Sequence, residues 1–399
     1  MKNKKILLLS PWSGDIDDGR KLRHYYLIKE LSRQNIIMDM IAEGSKKKLF
    51  KKNIKSTNNF IYYAPNIKTG KYKITKMMAR VLNMIFYIIY GVGISIVKRK
   101  EYEQVWVSIP HIGPSIIAIF LLPFKKNIVY EIRDPWPKLL VDLNILQKGS
   151  LVAKILSLLD NFMLEKSQYI ISPNYNIDYI PKKHLKKLII FPNAVSDDVL
   201  KSVPFQKKEK EEEFSLIYAG GAANSYQMDV IIKAVAIVKK DILNIKLNLY
   251  LDEREIKRFN PLVEELDIED NVNFYNKTNQ KRLFKNIQKS DFYIFHLKDL
   301  EMFRPGISSN KLLDPLICGR PVILGANIEN NWVKEANAGI IVQPENPDIL
   351  ASAIKKAWKI RNSKKYDEMC LNAYRYAREN LSLNSKIKEL KKFGILEGN

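Results

Sequence analysis

Four polar residues stand directly before a short apolar run that carries a single acid. The polar residues are Ser308–Lys311, and the acid is Asp314. Either serine can cap a helix, and the first N–H groups of a capped helix favour an anion such as a diphosphate, to which Lys311 adds positive charge. A carboxylate one turn further on can accept hydrogen bonds from two vicinal hydroxyls of a ribose. Pro315 disfavours helical geometry at Asp314, so this helix is expected to be kinked or to begin late.

Two glycines follow a strand candidate in "FSLIYAGGAANSYQ". Gly220 and Gly221 permit a tight turn and a close approach of the backbone, and Asn224 or Ser225 can cap the helix that follows. A phosphate can bind on such a turn. A plain connection between a strand and a helix explains the same residues equally well.

Polar side chains also follow two strand candidates in the first half of the chain. His111 comes after "EQVWVSI", and Arg133 and Asp134 come after "NIVYEI". In a functional interpretation these groups point into a ligand site, with Trp136 as an apolar wall. The alternatives are a structural histidine and an ion pair that stabilises the turn.

The acidic loop after the first strand candidate does not predict a cofactor. Gly14 and Gly19 bracket Asp15–Asp17, which spells the D-x-D pattern that can bind a divalent metal. A match this short in an acid-rich loop is mostly chance, and the loop has no G-x-G-x-x-G fingerprint for a dinucleotide. We therefore expect neither a metal nor a dinucleotide here.

Strand candidates alternate with helical patterns along the whole chain, which predicts parallel sheets covered on both faces. The charged stretch 204–213, "PFQKKEKEEE", interrupts the alternation as a linker. We expect two Rossmann-like doubly wound domains, 1–202 and 203–380, with a helix in about 381–399 that packs back on the first. Ligands of such sheets bind beyond the carboxyl ends of the strands, so the two domains are expected to face a cleft.

Composition narrows the class and the compartment of the protein. With 399 residues, 46% of them hydrophobic, the chain can build two cores. Two cysteines are too few for a disulfide framework and lack the spacing of a zinc site, which favours a reducing compartment. The apolar run 6–9 is shorter than the roughly 7–15 residues of a secretion signal. The cytoplasm is the expected location.

The positive charge is concentrated in the first half. Residues 1–200 hold 33 basic and 16 acidic residues, and the segment between Glu43 and Glu101 holds 14 basic residues and no acidic one. An apolar stretch, 77–97, with basic residues at both ends lies within this segment. It is either a buried core helix or an interfacial helix that dips into a membrane.

Five segments, in this order, resemble the retaining glycosyltransferases of family 4, which have the GT-B fold. The segments are "RKLRHYYLIKEL", "YEIRDPWP", "FPNAV", "IYAG" and "SNKLLDPLICGRPVI". The resemblance covers nearly the whole chain, and the last segment is the most specific. It implies transfer of a sugar from a nucleotide diphosphate sugar, with retention and without a required metal, in a hexosyltransferase-like reaction.

The resemblance also assigns residues. His111, Arg133 and Asp134 are expected near the reacting sugars. The donor is expected at Gly19, Gly220, Gly221, Asn224, Asn276, Arg304, Ser308, Ser309, Asn310, Lys311, Leu312 and Asp314. No protein nucleophile is assigned, since members of the family commonly use the leaving phosphate to help deprotonate the acceptor.

The chain departs from the family pattern at the donor site. The first of the two acids usual in the family falls on Gly306, and the arginine and lysine that often clamp the diphosphate fall on Gly221 and about Gln227. We therefore expect Arg304 or Lys311 to compensate for the missing clamp.

The first domain is expected to bind a lipid-linked or other saccharide acceptor of cell-surface polysaccharide synthesis, on the anionic inner face of the cell membrane. Three other functions stay open. They are an inactive accessory subunit with the GT-B fold, a sugar-nucleotide epimerase with that fold, and a nucleic-acid-binding protein. The last has little support, because the basic residues form no recognition motif.

Overall fold

A computed structural model describes residues 5–11, 23–44, 52–53, 58–67, 73–134, 136–142, 145–175, 177–209 and 211–396. The chain divides into two compact units, Met1–Pro192 with Lys386–Asn399, and Asn193–Ser385. Residues 193–202 lie in the second unit because they bond to its last helices. The N–H of Val195 donates to Leu381 at 3.0 Å, and Arg378 donates to the carbonyl of Leu200 at 2.8 Å.

The first unit is built on an eight-stranded sheet. Its elements are β1 (Lys5–Leu9), α1 (Arg23–Arg33), β2 (Ile37–Glu43), β3 (Lys52–Asn53), β4 (Phe60–Ala64), α2 (Lys73–Val97), β5 (Gln104–Ile109), α3 (Ile112–Leu121), β6 (Asn127–Ile132), α4 (Lys138–Asp142), α5 (Leu151–Lys166), β7 (Tyr169–Ser172) and β8 (Leu188–Ile190). The strand order is β3-β4-β2-β1-β5-β6-β7-β8. Every neighbouring pair is parallel except β3 with β4.

The central strands of this sheet are buried on both faces, as their apolar composition requires. All six residues of β5 and five of the six residues of β6 are buried. Helix α3 packs on β5, and α2 packs on α3. The approach of α2 to α3 is close at Gly91, where any side chain would collide with Ile117.

Helix α2 buries only one narrow face. The buried positions recur every four residues: Ala79, Asn83, Tyr87, Gly91 and Ser95. Asn83 accepts a hydrogen bond from the N–H of Ile67 at 2.7 Å, and the hydroxyl of Tyr87 donates to the carbonyl of Ile41 at 3.2 Å. The other faces expose large apolar side chains, namely Met77, Met78, Val81, Leu82, Ile85, Phe86 and Ile89.

Most of the surface of α2 is therefore not buried, as a core helix would require. Within the described ranges, the stretch Met77–Val97 is the one helix whose length and composition would allow it to cross a membrane. Asn83 and Tyr87 on its buried face bond to Ile67 and Ile41 of the same unit, and the seven large apolar side chains named above are exposed.

The second unit is built on a six-stranded parallel sheet. Its elements are α6 (Asp197–Ser202), β9 (Phe214–Ala219), α7 (Met228–Val238), β10 (Ile245–Leu251), α8 (Glu253–Glu265), β11 (Val272–Asn276), α9 (Gln280–Lys289), β12 (Phe292–His296), α10 (Asn310–Ile317), β13 (Val322–Gly325), α11 (Trp332–Glu335), β14 (Gly339–Val342), α12 (Pro347–Ile360) and α13 (Lys364–Asn380). Helix α14 (Leu383–Lys392) begins here and continues, from Lys386, in the first unit. The strand order is β11-β10-β9-β12-β13-β14.

A fully buried arginine fixes the second unit at the edge opposite the carboxyl ends of the strands. Arg320 directly precedes Pro321 and β13. Its guanidinium donates to the carbonyls of Gln206, Gln288, Ser290 and Gly319. Gln206 belongs to the charged linker before β9, and Gln288 and Ser290 lie at the end of α9. Because one guanidinium donates to all three carbonyls, it attaches the linker to the end of α9.

Candidate active site

The carboxyl ends of β9 and β12 form the switch point of the second sheet. From β9 the chain order runs outward through β10 and β11 on one side and through β12, β13 and β14 on the other. The hydroxyl of Tyr293 links the two strands by accepting from the N–H of Ala219 at 3.1 Å and donating to its carbonyl at 2.9 Å. Open α/β sheets bind their ligands at such a point.

Lys311 reaches from α10 to the glycine turn that follows β9. A Cβ on Gly220 would lie 3.1 Å from Cε of Lys311 and 3.2 Å from Nζ. Gly220 also has a φ of +126°, which L side chains rarely adopt, so the backbone at this position favours glycine. The ammonium lies 4.2 Å from the ring centre of Tyr226, a favourable distance for a cation over an aromatic face.

The start of α10 has one capping serine and one free N–H. Ser309 is the N-cap, and its hydroxyl accepts from the N–H of Lys311 at 3.2 Å. The N–H groups of Leu312 and Leu313 donate to the carbonyl of Ser309. Among the described residues the N–H of Asn310 has no partner. A bound anion would therefore contact that N–H and the ammonium of Lys311.

Ser308 is held by a different contact. Its hydroxyl accepts from the N–H of Asn193 at 2.6 Å, and its carbonyl accepts from the Asn193 side chain at 2.7 Å. Asn193 belongs to the "FPNAV" segment, so that segment fixes the loop before α10. Leu312 is buried in the core of the unit, and its N–H already donates to the carbonyl of Ser309.

Asp314 lies one turn into α10, and the helix continues through Pro315 to Ile317. The helix is thus neither interrupted nor delayed by the proline. Burial raises the pKa of Asp314 to about 7, and the charge of Lys311 opposes this rise. Burial lowers the pKa of Lys311 to about 8, although Asp314 and Glu255 both favour its charged form. Both groups are partly deprived of water, which strengthens any contact with a ligand.

Glu255 organises the glycine turn from the neighbouring helix α8. Its carboxylate accepts from the N–H of Ala222 at 2.5 Å and from the N–H of Asp252 at 3.2 Å. The same carboxylate favours the charge of Lys311. Glu255 therefore positions the glycine turn and favours the charged form of Lys311.

The predicted cap after the glycine turn is wrong. A three-residue 3₁₀ turn, Asn224–Tyr226, precedes α7, and the N-cap residue is Gln227, whose side chain makes no capping bond. Gln227 takes a left-handed conformation with a φ of +36°, which turns the chain into the helix. Asn224 is exposed on this turn.

Three other residues expected to bind the donor, Arg304, Asn276 and Asn310, lie at the surface. Arg304 is 55% exposed and lies 3.7 Å from a carboxylate oxygen of Asp299. Asn276 ends β11 and is exposed, as is Asn310. Gly306 has a φ of +128°, so the backbone there disfavours the acid that is usual in the family. Their roles stay predictions.

In the first unit the switch point lies between β1 and β5, and His111 follows β5. Nδ1 of His111 accepts from the N–H of Gly113 at 3.1 Å, which makes the residue the N-cap of α3. Nε2 lies 3.9 Å from a carboxylate oxygen of Glu43. Burial lowers the pKa of His111 to about 4, so the ring is neutral and Nε2 carries the proton.

Arg133 and Asp134 follow β6. The carbonyl of Arg133 accepts from the side chain of Asn174 at 2.7 Å. Burial raises the pKa of Asp134, and the charge of Arg133 opposes the rise. Gly19 and the segment Asp15–Asp17 lie outside the described residues.

Sequence reasoning missed a buried ion cluster near these strand ends. Glu131 of β6 accepts from Arg23 at 3.1 Å and from Nε2 of His24 at 2.7 Å. Burial alone would raise the pKa of Glu131, but the contacts with His24 and Arg23 outweigh it and hold the pKa well below its usual range. Arg23 also donates to the carbonyls of Phe191 and Pro192. Only the tertiary fold brings these distant residues together.

Residues 201–379 match the family model described as glycosyl transferases group 1. The match covers most of the second unit. No curated protein is similar enough to the chain to count as a relative.

Solved structures resemble the whole chain. A glycosyltransferase from Rickettsia africae is 13% identical over 100% of both chains, with a TM-score of 0.70. Sucrose-phosphate synthase from Thermosynechococcus elongatus is 12% identical over 98% of both chains, with a TM-score of 0.70. HepE from Anabaena, solved with UDP, is 13% identical over 98% of this chain and 99% of that chain, with a TM-score of 0.66. The chain has the GT-B fold, and the expected fold class is confirmed.

Proposed function

We propose that the protein is a glycosyltransferase that takes a sugar from a nucleotide diphosphate sugar. One observation carries the proposal: the ammonium of Lys311 lies against Gly220 at the switch point, and Asp314 lies one turn along the same helix. A cation and a free N–H suit a diphosphate, and a carboxylate suits ribose hydroxyls. The group 1 match over residues 201–379 supports the same function.

Lys311 takes the place of the missing diphosphate clamp in this proposal. Its side chain delivers positive charge to the turn where Gly221 and Gln227 supply none. The charge that accumulates on the leaving diphosphate as the glycosidic bond breaks would be stabilised by this ammonium. Arg304 remains the competing candidate for the same role.

Transfer proceeds with retention and without a required metal in this proposal, as the resemblance to family 4 implies. In the part of the chain that the structure describes, no group of three or more His, Cys, Asp or Glu side chains could hold a metal ion. His111 and Asp134 lie near the reacting sugars in the proposal. Neutral His111 would offer its Nε2 proton to an acceptor oxygen.

A panel of nucleotides tests the donor site. The thermal stability of the wild type and of Asp314→Ala is measured with UDP, GDP, ADP, TDP and CMP, beginning with UDP because the structurally similar HepE was solved with it. A ligand at 100 times its dissociation constant stabilises by about 2.7 kcal/mol. A diphosphate that stabilises only the wild type supports the proposal. No stabilisation of folded wild type by any nucleotide would favour the inactive accessory subunit.

An acceptor assay separates the transferase from the epimerase. If the nucleotide sugar turns over to its epimer without any acceptor, the protein is an epimerase with the GT-B fold. If the sugar appears only on an added acceptor, the protein is a transferase.

The acceptor in this proposal is lipid-linked, and the protein works on the cytoplasmic face of the cell membrane in polysaccharide synthesis. The exposed apolar face of α2 supports this, together with the basic segment that precedes it. An apolar helix face with flanking basic residues suits the interface of an anionic bilayer.

Vesicle binding tests the membrane part separately. Binding to phosphatidylglycerol vesicles should weaken as salt rises, and Ile89→Asp on the exposed face of α2 should reduce it further. Binding that ignores salt, or equal binding by Ile89→Asp, would contradict the membrane proposal and leave the donor site untouched.

A further inference from the structure

A small pocket lies between α3 and α5 at the carboxyl ends of β5 and β6. Most of its wall is apolar and includes Ile112, Trp136, Leu156 and Leu159. The polar members of the lining are His111, Ser115, Tyr130 and Asp160. The pocket is distinct from the donor site, because all of its residues belong to the first unit.

Asp160 is the acid of this pocket. The hydroxyl of Tyr130 donates to one of its carboxylate oxygens at 2.7 Å, and no other hydrogen bond to this carboxylate is found in the described ranges. Burial raises the pKa of Asp160 to about 6, so the group is mainly ionised at neutral pH. A carboxylate with a free oxygen in an apolar wall can accept a hydroxyl group of a ligand.

Helix α5, which carries Asp160, has an unusual distribution of side chains. It buries only Ala153, Met163 and Leu164. Large apolar side chains recur on its exposed face: Leu151 at 73% exposure, Ile155 at 52%, Leu158 at 69% and Phe162 at 38%. A surface helix normally turns its apolar side to the core and its polar side to solvent. Here the exposed side carries a row of large apolar side chains, and the side toward the pocket carries an acid beside Leu156 and Leu159.

Two environments explain this distribution together. The exposed row suits hydrocarbon, and the pocket suits a ligand with both hydroxyl groups and an apolar face. A sugar ring has these properties, since its C–H face can lie on Trp136 while a hydroxyl bonds to Asp160.

We propose that the pocket between α3 and α5 binds the edge of a sugar ring of a lipid-linked acceptor, whose hydrocarbon lies along the exposed face of α5. This inference rests on the proposed function, and it adds an acceptor site with Asp160 and Tyr130 as its recognition residues. Leu151, Ile155, Leu158 and Phe162 form the lipid-facing surface of the site.

Alkyl glycosides below their micelle concentration test the site. The probes are octyl glucoside, octyl galactoside and octyl mannoside, and saturation-transfer NMR reports separately on ring and chain protons of each probe. We expect ring protons of at least one probe to contact the wild type. Asp160→Leu should weaken that ring contact about tenfold or more, as loss of a hydrogen bond to a charged group implies. Asp160→Asn, which keeps the shape, should lie between.

Leu158→Ser is the matched control on the same helix. It should reduce the chain signals and leave the ring signals in place. Two results overturn the inference. One is the absence of ring contact with all three probes, and the other is equal ring contact in wild type and Asp160→Leu, which would make the Tyr130–Asp160 pair a structural hydrogen bond only.

Nucleotide binding keeps the two proposals apart. Each variant is checked for thermal stabilisation by UDP, which binds the other unit in the proposal. A variant that keeps the UDP response but loses ring contact supports the acceptor site. Absence of stabilisation of the wild type by every nucleotide of the panel would count against the proposed function itself.

Discussion

Replacing Lys311 by methionine is the sharpest test of the donor site. Methionine keeps the unbranched apolar stem, is one heavy atom shorter, and removes the charge together with its N–H donors. Two unit charges about 4 Å apart attract by about 4 kcal/mol at an effective dielectric constant near 20. Burial already disfavours this ammonium, as its lowered pKa indicates, so the net contribution should match that of a charged hydrogen bond, about 1.5–3 kcal/mol.

That energy corresponds to a loss of UDP affinity of about 10-fold to 150-fold in Lys311→Met. Titration calorimetry with UDP and with uridine measures it. Uridine carries the same base and ribose without the diphosphate, so its affinity should stay unchanged. Arg304→Met is the matched comparison, since Arg304 is exposed and lies 3.7 Å from a carboxylate oxygen of Asp299.

Two outcomes would refute the clamp role of Lys311. If UDP binds Lys311→Met as tightly as the wild type, the ammonium does not contact the diphosphate. If uridine loses as much affinity as UDP, the substitution has damaged the site rather than removed a phosphate contact. A large loss in Arg304→Met alone would transfer the role to Arg304.

Three further predictions follow from the charges and contacts of the second unit. UDP affinity should fall as the pH rises through about 8, because Lys311 then loses its proton, and Lys311→Met should show no such fall in calorimetry between pH 7 and 9. The raised pKa of Asp314 means that the fold favours the protonated acid. The stability that protonated Asp314 contributes is complete below the ordinary pKa of 3.8 and is lost as the pH rises through about 7. Chemical denaturation at pH 6 and pH 8, without nucleotide, should therefore show a larger drop for the wild type than for Asp314→Asn, by about 1.4 kcal/mol, and equal drops would contradict the burial argument. Arg320→Met should destabilise the protein by at least about 3 kcal/mol, because four buried carbonyls lose their donor, and a midpoint of denaturation close to that of the wild type would show that these bonds contribute little.

The sequence alone determined the two sheets and the start of α10, the helix that carries Lys311 and Asp314. Apolar strands such as "FSLIYA" and "DFYIFHL" are buried on both faces, and helices separate them, which favours parallel order, as the structure has it in every pair except β3 with β4. Capping chemistry placed a helix start at Ser308 or Ser309, and the structure has it at Ser309. These features depend on local composition and on the spacing of apolar residues, and both can be read directly from the sequence.

The tertiary structure decided which of these residues meet. Lys311 and Gly220 are 91 positions apart, and only the adjacency of β9 and β12 brings the ammonium to the glycine turn. The pairing of Tyr130 with Asp160 depends in the same way on how α5 packs against β6. The sequence left two environments open for 77–97, and packing on α3 buried one face and exposed the others. Side-chain contacts across long stretches of chain have no local signal, because they depend on the sum of all the packing in a unit.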